Sequence, residues 1–576
     1  MRRFKMLSAL AVVTLVAAGC GGSSSKSSSP SSSASGTSSG GAAPANSGKV
    51  GGKLVIDNES GSTWTCQFNP FNPAVTLTSF GFVYESLQFV NILQSTSKPL
   101  PWLASSSTWS NGFKTLTFTI RDGAKWSDGK PFSAADVAYT FNAMKSDKAI
   151  DLNAVWKADG GPLTAVATKG SNQVVFTFNA PSEPYFYFVA DLTPIVPQHI
   201  WSAQDQSKLH SYADKQPVGT GPYKVSSCAP QNIKYQRNPN YWQSTSAKPV
   251  PQIQEVDYPA FLSNTSANLF LAQGQAQWGG QYVPNIDAFW VKKDPSHRNY
   301  WFAPVLNVSL FPNLTDPLLK QLPVRQAIAY AIDRSTVAKL GESGYQQPAN
   351  QTGVITPTFQ SWSDSSLTQP IYNPAKAEQV LKAAGFTKGS DGIYQKNGRK
   401  LSFTIKTISG YSDWDASLQI IAQQLKKVGI AVTAQDENTG PYTTALQTGK
   451  FQLAYAGSGG PSTIAGPSPY YELRGLLFSG NIGQTNYSRY KSSATDALFN
   501  KYPAVPHGQQ VQIIHQIQKA MVDQIPFIPV TEGVDWYQYD TSKIAGWPTK
   551  SNPYAQGSPY QFPDNAVILT HLYPLG

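Results

Sequence analysis

From Thr115 to Ile120 the chain alternates, with Leu116, Phe118 and Ile120 standing between threonines. A period of two puts the apolar set on one face of a strand. Gln173 to Phe178 (QVVFTF) repeats the pattern, and Lys53 to Asp57 (KLVID) predicts a short first strand. Past Arg121-Asp122-Gly123 and a turn at Asp128-Gly129 the period changes. Ser133 precedes Asp136 at capping-box spacing, and Val137, Phe141 and Met144 share one face of the helix that follows.

The second half reads as α/β. Val324, Ile328, Ala331 and Ile332 make an apolar stripe within Pro323 to Arg334, and Asn264 to Gly274 predicts a helix ending on glycine. Asn373 caps a helix with Pro374 in its first position, and Gly385 stops it. Leu401, Phe403 and Ile405 alternate as a strand. Ser412 and Asp415 have the spacing of a capping box for a helix whose stripe is Trp414, Leu418, Ile421, Leu425 and Val428. Ile430 to Ala434 resumes as strand, so the unit predicts a right-handed crossover and a parallel pair. Phe451 to Gly457 predicts a further strand, leading into Ser458-Gly459-Gly460-Pro461.

Composition changes the picture in three ways. At 576 residues the chain is too long for one core. Charged residues make up only 14% and aromatics 12%, a balance suited to holding ligands by stacking and hydrogen bonds. The net charge of +11 is spread without a Lys/Arg block, which argues against a nucleic-acid surface.

Arg2, Arg3 and Lys5 precede a nearly apolar run from Met6 to Ala18, which ends Ala17-Ala18-Gly19-Cys20. This predicts a lipoprotein signal peptide over 1–20, with Cys20 lipidated. Residues 21–49, rich in Ser, Gly and Ala, predict a disordered tether with a reach of roughly 30 Å. Two further cysteines, Cys66 and Cys228, are a candidate disulfide in an exported protein; two buried free thiols are the alternative.

Several strings are more specific than their periodicity. Leu103-Ala104, Trp109, Arg121-Asp122-Gly123, Trp126, Asp128-Gly129 and Ala134-Ala135-Asp136-Val137 resemble the signature of the family 5 extracellular solute-binding proteins. These are the oligopeptide and dipeptide binders of bacterial ABC importers. Pro217 to Tyr223 (PVGTGPY), Asn238 to Trp242 and Val324 to Arg334 match further family strings in order. Pro197-Gln198-His199 and Pro526 to Val530 match as well, and Phe82 to Phe89 corresponds to a helix beginning near Tyr84-Glu85.

The resemblance implies an α/β, three-lobed periplasmic-binding-protein-like fold (type II, large peptide-binding class) with a hinged ligand cleft. Lobe I would take 50–70, 215–312 and 531–576, lobe II 71–214, and lobe III 313–530. The implied protein is a monomer, anchored by lipid outside the cell membrane or periplasmic. It captures a small-molecule or peptide ligand and delivers it to ABC permease and ATPase subunits.

Enzyme motifs are missing: the six histidines form no His-Glu-x-x-His, and Ser458 is not in Gly-x-Ser-x-Gly. No cofactor or metal site is expected. In peptide-binding members of the family an acid just past the strand equivalent to Phe451–Gly457 pairs with the ligand's α-amino group. Here that stretch is Ser458 to Pro461, with no acid before Glu472. Trp64, Gln67, Trp278, Tyr411, Tyr442, Ser458 and Gly459 are the candidate ligand-binding residues, while Trp414 and Tyr455 read better as core. Aromatic platforms with amides also suit an oligosaccharide or other uncharged solute. A secreted enzyme or adhesin on this scaffold, or a receptor that signals without transport, are the readings from other classes.

Overall fold

The computed structural model describes residues 48–58, 61–72, 80–94, 98–244, 250–356, 358–458 and 466–575. Cys20, the tether up to residue 47 and Gly459 lie outside them. Three sheets organise the described chain.

A four-stranded antiparallel sheet runs Ala104–Ser110, Thr115–Ile120, Gln173–Phe178, Leu163–Lys169. Leu116, Phe118 and Ile120 are buried on one face, with Phe118 and Phe176 in edge contact at 5.6 Å. The helix Ala134–Ala143 covers that face through Phe141, 4.8 Å from Phe176. The Ser133 N–H donates to the Asp136 carboxylate at 2.9 Å, so the capping box forms.

A seven-stranded sheet is ordered Arg298–Tyr300, Gln538–Asp540, Trp278–Gly279, Gly51–Asp57, Ile253–Pro259, Asn232–Arg237, Tyr223–Ala229. Its strands come from distant parts of the chain. A disulfide joins Cys66, in the loop after the first strand, to Cys228 on the edge strand, with Cα atoms 5.9 Å apart.

The six-stranded sheet is ordered Gln347–Pro348, Ile528–Asp535, Ala303–Pro312, Leu453–Gly457, Ser402–Ile408, Ala431–Glu437. Ser402–Ile408 and Ala431–Glu437 pair in parallel across the helix Ser412–Lys427. Ile328, Ile405, Leu418, Ile421, Leu425 and Ile528 pack its core. Asn373 caps its helix by accepting from the Lys376 N–H, with Pro374 next.

Two local readings change. The helix expected to open with a Ser412–Asp415 box starts with Tyr411 in the cap position, because the Ser412 hydroxyl is engaged by the Asn264 amide at 3.2 Å. The stretch 80–89 is not helical. Its carbonyls are used sideways: Phe82 and Val83 accept from Tyr223 and Gly221 (3.1 and 2.8 Å), and Glu85 accepts from Ile195 at 2.9 Å. A Cβ on Gly219 or Gly221 would come within 1.8 Å of the Val83 oxygen or 2.3 Å of the Phe82 oxygen, so this close approach demands glycine.

The Glu85 carboxylate in turn accepts from Trp102 (2.7 Å), Tyr241 (2.9 Å) and Trp242 (3.3 Å), and burial pushes it up to about 7. Arg121 lies 4.4 Å over the Trp242 ring. Strings far apart in sequence are therefore one knot in space.

Two segments carry the chain between the seven- and six-stranded sheets. Trp301-Phe302 leads into Ala303–Pro312, and Trp536-Tyr537 leads out of Ile528–Asp535. The Trp301 N–H donates to the Tyr537 oxygen at 3.1 Å, tying the crossings together. Both long strands are integral to the six-stranded sheet, so the lobe edges read at 312/313 and 530/531 fall within it, while the chain passes between the two sheets at 301–302 and 536–537.

Candidate ligand cleft

A cavity of about 270 Å³ lies where these two sheets face each other. That is near the lower end for small-ligand sites, about 300–1,000 Å³. Its wall combines Tyr282, Tyr411, Trp414, Tyr442, Tyr487, Trp536 and Tyr560 with the amides of Asn58, Asn264, Gln281, Gln346 and Gln561. Among the described residues Asp413 is the one acidic residue of the lining, which contains no Lys, Arg or His.

Local folding places these groups. The strand Ser402–Ile408 ends at the cavity, and Gly410, with φ +91°, turns the chain so that Tyr411 to Trp414 begin the next helix there. A Cβ on Gly410 would sit 2.2 Å from the Leu262 oxygen, which holds this turn against the other half of the molecule. The Asn264 backbone N–H reaches the Gly410 oxygen at 3.0 Å, and its side chain reaches Asp413 Oδ1 at 3.1 Å. Tyr282 and Ser343 hydroxyls meet at 2.5 Å, and Arg474 donates to Tyr185 at 2.8 Å and to the Asn153 oxygen at 3.0 Å. The halves are thus in contact around the cavity.

Of the residues singled out in the sequence, Tyr411, Tyr442 and Ser458 line the cavity. The Tyr442 hydroxyl donates to the Tyr455 oxygen at 2.6 Å, which fixes its ring. Trp64, Gln67 and Trp278 do not line it. The Trp64 indole donates to the Tyr258 oxygen at 2.8 Å and packs edge-on against that ring. Gln67 donates to the Tyr212 oxygen (3.1 Å) and accepts from Asp214 N–H (2.9 Å), knitting its own loop. Trp278 is 0% exposed and donates to the Gly557 oxygen at 2.6 Å. Their polar atoms serve the protein core. Trp414, expected in the core, is on the wall, while Tyr455 is buried behind it. Asn264, Gln281, Tyr282, Asp413, Trp536 and Tyr560 were not found from the sequence.

The carboxylates differ in what they face. Glu472 turns in toward Ser458: its Oε1 accepts from the Ser458 hydroxyl and from the Asn307 N–H and amide, both at 2.9 Å. Asp57 accepts from the Gln281 amide at 2.8 Å through Oδ2, while its Oδ1 is buried without a partner. Asp413 reaches the wall itself. Burial pushes it up to about 7. Glu342, deeper, is driven well above the usual range by burial and by the Asp413 charge. Glu342 accepts from Ser417 at 2.7 Å and from Gln346 at 2.8 Å. Among the described residues no group of three or more His, Cys, Asp or Glu is arranged to hold a metal, and no helix is long and apolar enough to cross a membrane.

Residues 98–481 match the model of the bacterial extracellular solute-binding proteins, family 5. The chain belongs to this family. Similarity to individual family 5 members is broad in extent and varied in ligand. The nickel-binding periplasmic protein of Escherichia coli K12 is 26% identical over 84% of this chain and 94% of its own length. The oligopeptide-binding protein AppA of Bacillus subtilis is 28% identical over 75% of each chain. A solved periplasmic oligopeptide-binding protein of Thermotoga maritima with mannohexaose bound superposes with a TM-score of 0.83, at 25% identity, over 91% of this chain and 98% of its own. As a family 5 solute-binding protein this chain shares the α/β fold of that solved relative, and its ligand has to be read from its own cavity.

Proposed function

We propose that this protein is an extracytoplasmic receptor that captures a peptide or peptide-like solute between its two halves and delivers it to the permease of an ABC importer. One observation carries the reading: a cavity at the meeting of two sheets joined by only two crossing segments, with aromatic walls, neutral amides and one carboxylate. Amides suit the N–H and C=O groups of a peptide backbone, aromatic faces suit its side chains, and a hinged closure lets a permease recognise the filled state. The oligopeptide-binding relative supports this. On this reading the protein binds its solute without chemical turnover and acts as a monomer. Lipid on Cys20 and a tether over 21–49 would hold it at the outer face of the membrane. Export of the chain with labelled palmitate, lost in Cys20→Ala, tests the anchor.

An oligosaccharide is the second reading, favoured by the seven Tyr and Trp residues on the wall and by the mannohexaose-bound relative. A thermal-shift screen of di- to pentapeptides against cello-, xylo- and malto-oligosaccharides separates the two. A ligand at a hundred times its Kd stabilises by about 2.7 kcal/mol. A shift with peptides supports the first reading; a shift with sugars alone replaces it with the second.

A further inference from the structure

We propose that the cavity is built to receive a cationic group, an ammonium carried by the ligand, placed against Asp413 with Glu342 behind it. This rests on the cavity being the solute site and names the chemistry that site selects.

Asp413 is 2% exposed and on the wall, and Glu342, 0% exposed, feels its charge. Among the described residues neither has a Lys, Arg or His within ion-pair distance; their side-chain partners are the neutral Asn264, Ser417 and Gln346. Two adjacent buried carboxyls with neutral donors hold a proton or await a counter-charge. The remaining nearby acids are not on the wall: Glu472 is held by Asn307 and Ser458, and Asp57 accepts from Gln281 through one oxygen while its other oxygen is buried without a partner. They add a field of the same sign around a lining that, among the described residues, has no basic side chain.

Tyr282 and Tyr560, both on the wall, lie within electrostatic reach of Asp413, and Trp414 follows it in the chain. Their rings offer faces to a cation. Asn264, from the other half, touches the same carboxylate, so the site is complete only when the halves meet. A bound ammonium therefore supplies charge at the point where closure is made. The position is new relative to the sequence expectation: the acid stands at the start of the helix Ser412–Lys427, not after the strand Leu453–Gly457.

The test is calorimetric titration of the full chain at neutral pH with four mixtures. These are tri- to pentapeptides with free amino termini, the same peptides N-acetylated, glucosamine oligomers, and their N-acetylated forms. The expected result is that, on whichever backbone binds, the free-amine form binds about a hundredfold tighter, and that Asp413→Asn abolishes the preference while its circular dichroism is kept and its unliganded melting temperature does not fall. Glu342→Gln should weaken the preference less. Equal binding of acetylated and free forms, an unchanged preference in Asp413→Asn, or no binding to any mixture overturns the proposal. Amine preference on glucosamine oligomers alone would remove the peptide reading and leave the cation site standing.

Discussion

Asp413 stands on the cavity wall and Glu472 behind it, bonded to the wall residue Ser458, and they differ in which way their oxygens face. Glu472 is surrounded by donors from Asn307 and Ser458 and serves as a structural bracket between the strands Ala303–Pro312 and Leu453–Gly457. Asp413 has one side-chain donor, supplied across the cleft, together with the backbone N–H groups of Asp413 and Trp414 at its own helix start, and it faces the cavity and a second carboxyl. A buried acid whose lone pairs are filled by the fold supports stability. One whose lone pairs are left for something else reduces stability until that partner arrives.

Glu472→Ala should be the most damaging change to the fold. The Ser458 hydroxyl loses its acceptor and the two Asn307 donors keep only their bonds to Ser458 and Gly353, so urea unfolding should show a loss of roughly 2 kcal/mol. Asp413→Ala should stay within about 1 kcal/mol of the parent at neutral pH, because it removes an uncompensated buried charge. Similar losses for the two would erase the distinction.

A pH series sharpens the contrast. A carboxyl raised on folding holds its proton more tightly folded than unfolded, so stability falls as pH rises from its unfolded value near 4 to its folded value. For Asp413 the window runs to about 7. Glu342, Asp415 and the tyrosines 282, 455 and 560 face it, and the tyrosines stay protonated throughout. Glu85 and Asp564, pushed by burial to about 7 and 8, act in the same direction. The unliganded melting temperature should drop between pH 5 and 8, and Asp413→Asn should flatten the curve; a parent curve that rises over this range would contradict the assignment.

Trp414→Ala should weaken ligand binding by about tenfold, a loss of one aromatic wall contact. The smallest effect is expected for Trp278→Phe. It loses the indole bond to Gly557, about 1 kcal/mol of stability, and should leave the ligand Kd unchanged. A Kd shift there would put Trp278 back among the binding residues.

The elements were legible where one short-range rule decided them. Asn373-Pro374 and Ser133 mark helix starts by local capping, and the alternation at Leu116 to Ile120 needs only one buried face. The segment around Tyr84-Glu85 was not legible, because its backbone partners are Gly221, Tyr223 and Ile195, more than a hundred positions away. The cavity was half legible. Tyr411, Tyr442 and Ser458 adjoin strand ends, where open α/β sheets present their clefts. Asp413 reads locally as an ordinary first-turn acid that favours a helix N-terminus; only the arrival of Asn264 and Glu342 from elsewhere gives it another meaning. Trp64 and Trp278 show the reverse error, since a large aromatic near a cleft-forming segment says nothing about which way its indole N–H points.

The bond between Cys66 and Cys228 has a mechanical consequence. It spans a sequence separation of 162 and encloses the whole four-stranded sheet, Ala104 to Phe178. Pulled from its two ends, the oxidised chain transmits tension straight through the sulfurs and never loads that ring. Roughly 500 Å of contour length stays hidden in a stretching trace and is released only by a reducing agent.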